Sequence, residues 1–291
     1  MKLSLGFSPC PNDTFIFHAL IHHKIDTEGL EFEVAYHDVE TLNKKAFNKE
    51  LAITKLSYHA FAYAVEDYEL LDAGSALGFG VGPLLITRNK KLAETLADYA
   101  GKGLPEEFQN LIIGIPGKYT TANFLLGLAY PDLQNKEILV FSDIESALLS
   151  GEIDLGLIIH ENRFTYQEKG LFKVVDLGDF WEKTTESPIP LGGIVISRDL
   201  PADIKNKVNR LIRKSVEYAF QHPKAGLEYI RSHAQEMEEE VMYKHIELYV
   251  NQYSKDLGEL GKKSISTMFD KAQALNIVPK SEKNIFLIGN E

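Results

Sequence analysis

The sequence has little of what marks a disulfide-stabilised or nucleic-acid-binding protein. It contains a single cysteine, Cys10, in 291 residues, so no intrachain disulfide can form, which fits a reducing compartment. Lys and Arg together number 31 against 42 Asp and Glu, which gives a formal net charge of -11. Because a general nucleic-acid binder needs a basic face, we expect no nucleic-acid partner. A small anionic ligand is still compatible with this charge, since it responds to local groups.

Long apolar runs are missing as well. No uninterrupted stretch approaches the roughly 18 residues that a membrane-spanning helix requires, and the apolar segment LSLGF near the start is too short for a secretory signal. Hydrophobic residues at 44% and charged residues at 25% are ordinary proportions for a folded protein. We therefore expect a soluble, cytoplasmic protein without membrane insertion.

What the chain does contain is a strand-to-helix joint that recurs four times. The strand-like runs are LSLGF, LAITKL, LIIGIP and IDLGLII, and the segments that follow them are SPCPND, SYHAFAYAV, GKYTTANFLL and HENRFTYQ. Strands that alternate with helices predict an α/β fold with largely parallel sheets. In such sheets ligands bind beyond the carboxyl ends of the strands, beside helix N-termini. The four joints are therefore the candidate sites.

Two similar segments suggest how the chain divides. GPLLITRNK at 82–90 and GGIVISRDL at 192–200 are each an apolar strand followed by Arg and a turn-former. We interpret them as two hinge crossings between a discontinuous first lobe, 1–88 with 197–291, and an inserted second lobe, 89–196. Such an architecture closes a central cleft over a ligand. After residue 201, amphipathic spacing predicts helices in KVNRLIRKSVEYAF, AGLEYIRSHAQEM and SISTMFDKAQAL.

His160 is the strongest catalytic candidate. It follows a buried-type strand and precedes Glu161, so it should emerge at the strand's carboxyl end, where an imidazole can act as a general base near neutral pH. A structural, hydrogen-bonded histidine is an equally good interpretation of position alone. The planar guanidinium group of Arg163 can form two hydrogen bonds with a ligand carboxylate. A surface ion pair with another residue of the protein is the simpler interpretation of Arg163.

Thr120 and Thr121 stand at a predicted helix start and offer hydroxyls and free amides to an anion. An N-cap role explains one of the two. The spacing does not match a nucleoside-triphosphate loop, because GxxxxGK[ST] is absent.

The other two joints carry further polar side chains. Lys55 and Ser57 supply a cation and a hydroxyl, with helix capping as the default for Ser57. Asn12 or Asp13 is suited to cap the helix after SPCPND, whose prolines stiffen the loop. For Cys10 we favour a small buried residue over a nucleophile.

No metal site or cofactor is predicted. His22 and His23 are adjacent and should point in different directions from a helix, and we expect neither an HxxxH pair nor Cys-x₂-Cys spacing. No GxGxxG follows a strand, so a dinucleotide site is not expected.

Several segments are more specific than the general pattern. GFSPCPNDTFIF, TKLSYHAFA, GPLLITR, PGKYTTANFLL and GLIIHENRFTYQEKGL resemble, in order and over nearly the full length, the 1,4-dihydroxy-6-naphthoate synthase family. The resemblance implies a two-lobed α/β fold of the periplasmic-binding-protein type (type II). It also implies conversion of cyclic dehypoxanthine futalosine to 1,4-dihydroxy-6-naphthoate, a step of the futalosine route to menaquinone.

The resemblance implies residue roles too. His160 matches the family's proton acceptor, and five residues match its substrate-binding segments: Lys55, Leu56, Ser57, Thr120 and Thr121. The implied chemistry is that of a carbon-carbon lyase: a base removes a proton, the sugar-derived part leaves and the ring becomes aromatic, without a redox cofactor. The proline-containing loop SPCPND would then hold Asn12 or Asp13 in position to contact the substrate.

Two alternatives remain open at this level. A non-catalytic small-anion solute-binding protein has the same hinged fold, but it predicts an export signal. Chorismate dehydratase is a related enzyme of the same pathway and fold, which SPCPNDTF argues against. The oligomeric state is not fixed by the sequence, and a homodimer is among the alternatives.

Overall fold

The computed structural model describes residues 1–234 and 238–288, and the chain divides into two compact units. The first unit comprises Met1–Gly78 and Pro190–Glu291, and the second comprises Phe79–Ile189. The chain therefore passes between units slightly earlier than at the predicted crossings. GPLLITRNK lies within the second unit, and GGIVISRDL lies within the first.

The helices and strands follow one another along the whole chain. The first part of the chain contains β1 (Lys2–Phe7), α1 (Pro11–Ile21), β2 (Glu31–Tyr36), α2 (Val39–Phe47), β3 (Ile53–Ser57), α3 (Tyr58–Ala64), β4 (Tyr68–Leu70) and β5 (Ala76–Gly78). The second unit contains β6 (Leu84–Thr87), α4 (Lys90–Ala97), β7 (Ile113–Ile115), α5 (Thr121–Ala129), β8 (Lys136–Ile138), α6 (Ile144–Ser150), β9 (Leu155–Ile158), α7 (Asn162–Thr165), β10 (Phe172–Asp176) and α8 (Leu177–Thr185). The last part contains β11 (Ile189–Ser197), α9 (Ala202–Gln221), α10 (Leu227–Arg231), α11 (Glu239–Tyr249), α12 (Gln252–Lys255) and α13 (Gly258–Ala274).

Each unit is built on one mixed sheet. In the first unit the strand order is β2-β1-β3-β11-β4, with β5 also paired to β11. β1 runs parallel to β2 and β3, whereas β11 runs antiparallel to β3 and β4. In the second unit the order is β10-β6-β9-β7-β8, with β7 parallel to β8 and β9 and with β6 antiparallel to β9 and β10. The α/β class is confirmed.

The expectation of largely parallel sheets was only partly right. The strands that end in the four predicted joints, β1, β3, β7 and β9, do pair in parallel. The antiparallel strands include β6, which follows the first passage between units, and β11, which contains the second. A helical crossover makes two strands parallel only when they pair with each other, and neither β6 with β7 nor β11 with β10 forms such a pair.

The core of the first unit forms around β1 and α1. Leu3, Leu5 and Phe7 alternate along β1 and are at most 4% exposed, and the rings of Phe7 and Phe17 stack with centroids 4.4 Å apart. Helix α1 is buried all round from Pro11 onward, not only on one face, because the C-terminal helices pack against it. Its polar side chains must therefore find partners inside the protein.

The C-terminal helices were largely predicted. Helices α9 and α13 contain the runs KVNRLIRKSVEYAF and SISTMFDKAQAL. Only Leu227–Arg231 of AGLEYIRSHAQEM is helical, and the end of that run, 235–237, lies outside the described residues. Among the described residues no helix is both long and apolar enough to cross a membrane.

Candidate functional site

In the first unit, two of the predicted joints lie side by side. Strands β1 and β3 are parallel neighbours, with Leu5 opposite Ile53 and Gly6 opposite Thr54. Their carboxyl ends therefore share one edge of the sheet, where both chains turn into helices. This edge brings together Asn12, Asp13 and Lys55.

The predicted capping role of Asn12 or Asp13 is wrong. Cys10 occupies the N-cap of α1 without a side-chain cap bond, and Pro11 takes the first helical position. Cys10 is buried, as predicted. The Asp13 carboxylate instead reaches back along the loop and accepts a hydrogen bond of 3.3 Å from the Ser8 backbone N–H. It lies in the first helical turn, where a negative charge is favourable.

Lys55 and Asp13 form a buried ion pair. Lys55 Nζ lies 2.8 Å from Asp13 Oδ1, and the two side chains are 8% and 3% exposed. Lys55 also donates to the Gly74 carbonyl at 3.1 Å. A buried charge persists only when paired in this way. The predicted cation is therefore present at the joint and held rigidly.

His245 extends this pair into a network that sequence analysis missed. Its Nε2 lies 2.9 Å from Asn12 Oδ1, and Asn12 Nδ2 donates to Asp13 Oδ1 at 2.9 Å. His245 is fully buried on α11. Because Asn12 uses its amide N–H₂ toward Asp13, its oxygen accepts from His245, which must carry a proton on Nε2. No local pattern in the sequence links positions so far apart.

Ser57 and Leu56 lie at the end of β3, where Ser57 contacts a polar partner and Leu56 is buried in the sheet. Ser57 is the N-cap of α3 but makes no side-chain cap bond there, so its default capping role is wrong. Its backbone N–H donates to Asn43 Oδ1 at 3.1 Å, and Asn43 Nδ2 lies 3.5 Å from Ser57 Oγ. Asn43, a fully buried residue of α2, was also missed. Leu56 is buried in β3 at 1% exposure.

The second unit repeats the same arrangement. Strands β7 and β9 are parallel neighbours, with Gly114 opposite Gly156, so the start of α5 and the segment after β9 lie at one edge. Thr120 is the N-cap of α5: its Oγ1 accepts from the Asn123 N–H at 3.2 Å. Thr121 is the first helical residue and is buried. The N-cap interpretation thus accounts for Thr120.

His160 has an unusual backbone. Its φ is 58°, in the left-handed region that few non-glycine residues adopt. The side chain is half-buried, with its ring centroid 5.0 Å from that of Phe141. Such strain persists only where the surroundings impose it, and it is frequent at functional sites.

The helix after His160 is anchored on two sides. On α6 the buried Glu145 accepts from Asn162 Nδ2 and from Lys169 Nζ, both at 2.6 Å. On the other side Arg163 Nη2 lies 2.7 Å from Asp176 Oδ2, and its Nη1 donates to the carbonyl of Gly82.

These contacts bear on the prediction for Arg163. Its ion pair with Asp176 is real but partly buried rather than at the surface, since the two side chains are 18% and 7% exposed. Two of its donors hold the segment that carries His160, and contact with a ligand carboxylate stays a prediction.

Comparison with known proteins identifies the family. A family model described as "Menaquinone biosynthesis" matches residues 3–274. The chain belongs to the menaquinone biosynthesis family. A curated relative from Thermus thermophilus, named 1,4-dihydroxy-6-naphthoate synthase, is 41% identical over 98% of this chain and 99% of its own. A relative of the same name from Streptomyces coelicolor is 38% identical over 95% of both chains.

Solved structures support the fold of this family member. A crystal structure of a protein from Archaeoglobus fulgidus is 32% identical, covers 95% of this chain and 98% of its own, and has a TM-score of 0.84. The periplasmic aliphatic sulphonate binding protein of Escherichia coli is 11% identical with a TM-score of 0.63 over 100% of this chain and 94% of its own. The predicted periplasmic-binding-protein-like fold is confirmed.

Proposed function

We propose that the chain is a 1,4-dihydroxy-6-naphthoate synthase, a carbon-carbon lyase that acts on cyclic dehypoxanthine futalosine. The observation that carries the proposal is the near-complete alignment with two relatives of that name at 41% and 38% identity. The positions that the resemblance assigns to the family site occupy strand ends and helix starts in both sheets. A cytoplasmic location remains a prediction of the sequence, and a homodimer remains one of the open alternatives for the assembly.

His160 is the proposed base. It lies just beyond the carboxyl end of β9, and its side chain is only partly buried, so the imidazole can meet a ligand. The contacts of Asn162 and Arg163 anchor helix α7 directly after His160, which limits the movement of the backbone that carries the imidazole. A base that is held in position lowers the entropic contribution to the activation barrier of the reaction. An imidazole is suited to proton abstraction near neutral pH.

Substrate binding is proposed for Lys55, Thr120 and Thr121, with Asn12 and Ser57 as further contacts. Thr121 is proposed as a hydroxyl contact in the second unit because it is the buried first residue of α5. Lys55 gives a fixed positive centre whose charge is balanced by Asp13. We expect it to orient an anionic substrate more than to supply a large net attraction.

The proposed reaction needs no change of oxidation state in the protein. His160 takes a proton from the spirocyclic carbon skeleton, and the electron pair of that C–H bond enters the ring. The bond to the sugar-derived fragment breaks, and the fragment leaves with its bonding electrons and takes up a proton, which returns His160 to its neutral form directly or through solvent. Aromatisation of the bicyclic ring then makes the step favourable.

The test is to incubate the purified chain with cyclic dehypoxanthine futalosine, without added cofactor, and to follow 1,4-dihydroxy-6-naphthoate by mass spectrometry. A parallel incubation with chorismate tests the dehydratase alternative. Formation of the naphthoate from the first substrate alone supports the proposal. Turnover of chorismate, or binding of either compound without product, would overturn it in favour of the dehydratase or of a solute-binding protein.

A further inference from the structure

A pocket lies in the first unit, and none of the predicted site residues lines it. It has a volume of about 530 Å³, and its walls come from the end of α1 and from the segment around α10. Ligand sites in proteins typically have roughly 300–1,000 Å³. The residues lining it are His18, His22, Lys24, Lys224, Ala225, Gly226, Leu227, Glu228 and Tyr229.

His18 is the buried polar group of this pocket. It is 8% exposed, and its ring packs against Gly226, where an added Cβ would lie 2.8 Å from His18 Cγ. Glycine at 226 therefore lets the backbone approach the ring. No described residue forms a hydrogen bond with the His18 side chain, and its ring nitrogens are not among the buried atoms that lack a partner, so they are open to the pocket. A ligand there can therefore form a hydrogen bond with the ring in place of water.

The walls combine rings with short apolar side chains. The ring centroids of His18 and His22 lie 5.0 Å apart, and those of His22 and Tyr229 lie 4.8 Å apart at an interplanar angle of 80°. Tyr229 is held by a hydrogen bond of 2.9 Å between its hydroxyl and that of Tyr36. Leu227 adds an aliphatic surface. Such a wall favours a flat, aromatic ligand that can stack or pack edge-on.

The charged residues that line the pocket favour an anionic ligand. Lys24 and Lys224 both line the pocket, and among the described residues no carboxylate pairs with Lys24. Lys224 pairs with Glu239 at 3.1 Å through an exposed contact. The acid in the lining, Glu228, is engaged by Arg231 at 2.9 Å.

The pKa values of the two histidines also indicate positive charge around the pocket. The pKa of His18 is lowered by burial and then by His22 and Lys24. The pKa of His22 is lowered by burial and then by Lys24, His23 and His233. Neighbouring positive charge thus opposes a further cation, and an anion would relieve it.

A divalent metal is the competing ligand class. The expectation that the chain has no HxxxH pair is wrong: His18 and His22 are separated by three residues, which places two imidazoles on one helical face. The two lysines disfavour a metal ion at this place, and no carboxylate or thiol of the described residues joins the two rings as a third ligand.

We propose that this pocket is a second binding site, for a small aromatic carboxylate, with the carboxylate toward Lys24 and the histidines. The site does not depend on the proposed activity. Since the product named for the curated relatives is itself an aromatic carboxylate, the pocket gives such an enzyme a means of binding product outside the catalytic residues.

The test uses 2-naphthoate as the probe and the histidine ring signals of the full chain in NMR spectra. We expect the His18 and His22 signals to shift to saturation, and the neutral analogue 2-naphthalenemethanol to leave them unchanged. His22→Asn combined with Lys24→Gln should weaken the binding measured at His18 roughly tenfold. His23→Asn, at the adjacent histidine that does not line the pocket, is the matched control and should have no effect.

Three results would overturn the proposal. One is a response confined to His160, which would mean binding at the candidate catalytic site only. Another is equal affinity in the double variant and the control. The third is a response of His18 and His22 to Zn²⁺ but not to 2-naphthoate, which would assign the pocket to a metal. His22 and Lys24 are exposed, so both substitutions should leave the fold intact.

Discussion

His245 donates a hydrogen bond of 2.9 Å to Asn12, across 233 positions of the sequence. Asn12 lies in the SPCPNDTF segment that resembles the naphthoate synthase family. It donates a hydrogen bond to Asp13, which in turn forms an ion pair with Lys55. The C-terminal helix α11 therefore braces the first joint. His245, which is not itself a predicted ligand contact, can in this way influence how Asn12, Asp13 and Lys55 are placed.

Replacing His245 should destabilise the protein and reveal this coupling. His245→Ala leaves the Asn12 oxygen without its donor, and we expect a loss of about 1–3 kcal/mol in the free energy of unfolding, measured by urea denaturation. The double variant with Asn12→Ala should lose less than the sum of the single variants, with a coupling of about 0.5–3 kcal/mol. Additive losses would show that the two side chains do not interact.

Lys55 should be far more sensitive to substitution than a surface lysine. Lys55→Met leaves the Asp13 carboxylate buried without its cation, which typically costs about 3–5 kcal/mol. Adding Asp13→Asn removes the uncompensated charge and should restore a large part of the stability. Lys44→Met, at an exposed position on α2, is the control and should change the urea midpoint little. A stable Lys55→Met protein would contradict the buried pair.

The two threonines of the second unit should differ in their effect on stability. Thr120→Ala removes the N-cap of α5 and, besides any effect on KM, should lower the free energy of unfolding by about 1 kcal/mol. Thr121→Val keeps the shape of the side chain and removes a hydroxyl, so it should chiefly raise KM, by roughly tenfold. Steady-state kinetics and urea denaturation of both variants check this. An unchanged KM in Thr121→Val would remove this residue from the proposed binding set.

Stability should fall on mild acidification because of His18 and His22. The pKa of each is lowered from 6.5 in the folded protein, mainly by burial. Below about pH 6.5 the unfolded chain therefore binds more protons than the folded one, and stability decreases as pH falls. Urea midpoints at about pH 7.5 and about pH 5.5 measure this. His22→Asn should make the dependence shallower, and an unchanged slope would contradict the pKa shift.

Local pattern predicted much of this architecture. Alternation in β1 and the apolar runs of β3, β7 and β9 identified four strands and the helices that follow them, because period and turn chemistry are local properties. The placement of His160 after β9 followed from the same signal. Local pattern could not predict that β6 and β11 pair antiparallel to their neighbours, because the direction depends on which distant strand each one pairs with.

The partners of the site residues were the least predictable part. Asn12 and Asp13 resembled helix caps, yet tertiary contacts with His245 and Lys55 determine their roles. Ser57 likewise stands at a helix start but engages Asn43 of another helix. Each partner comes from a different element, and single-sequence spacing carries no information about such pairs.

The most direct test of the account compares turnover by wild type and His160→Asn on cyclic dehypoxanthine futalosine. Asn tolerates the left-handed φ of 58° at this position, so it removes the imidazole with little backbone strain, unlike Ala. The account predicts a variant with wild-type thermal stability and a kcat reduced roughly 10²–10⁴-fold. A stable His160→Asn protein that forms 1,4-dihydroxy-6-naphthoate at the wild-type rate would contradict the assignment of His160 as the base.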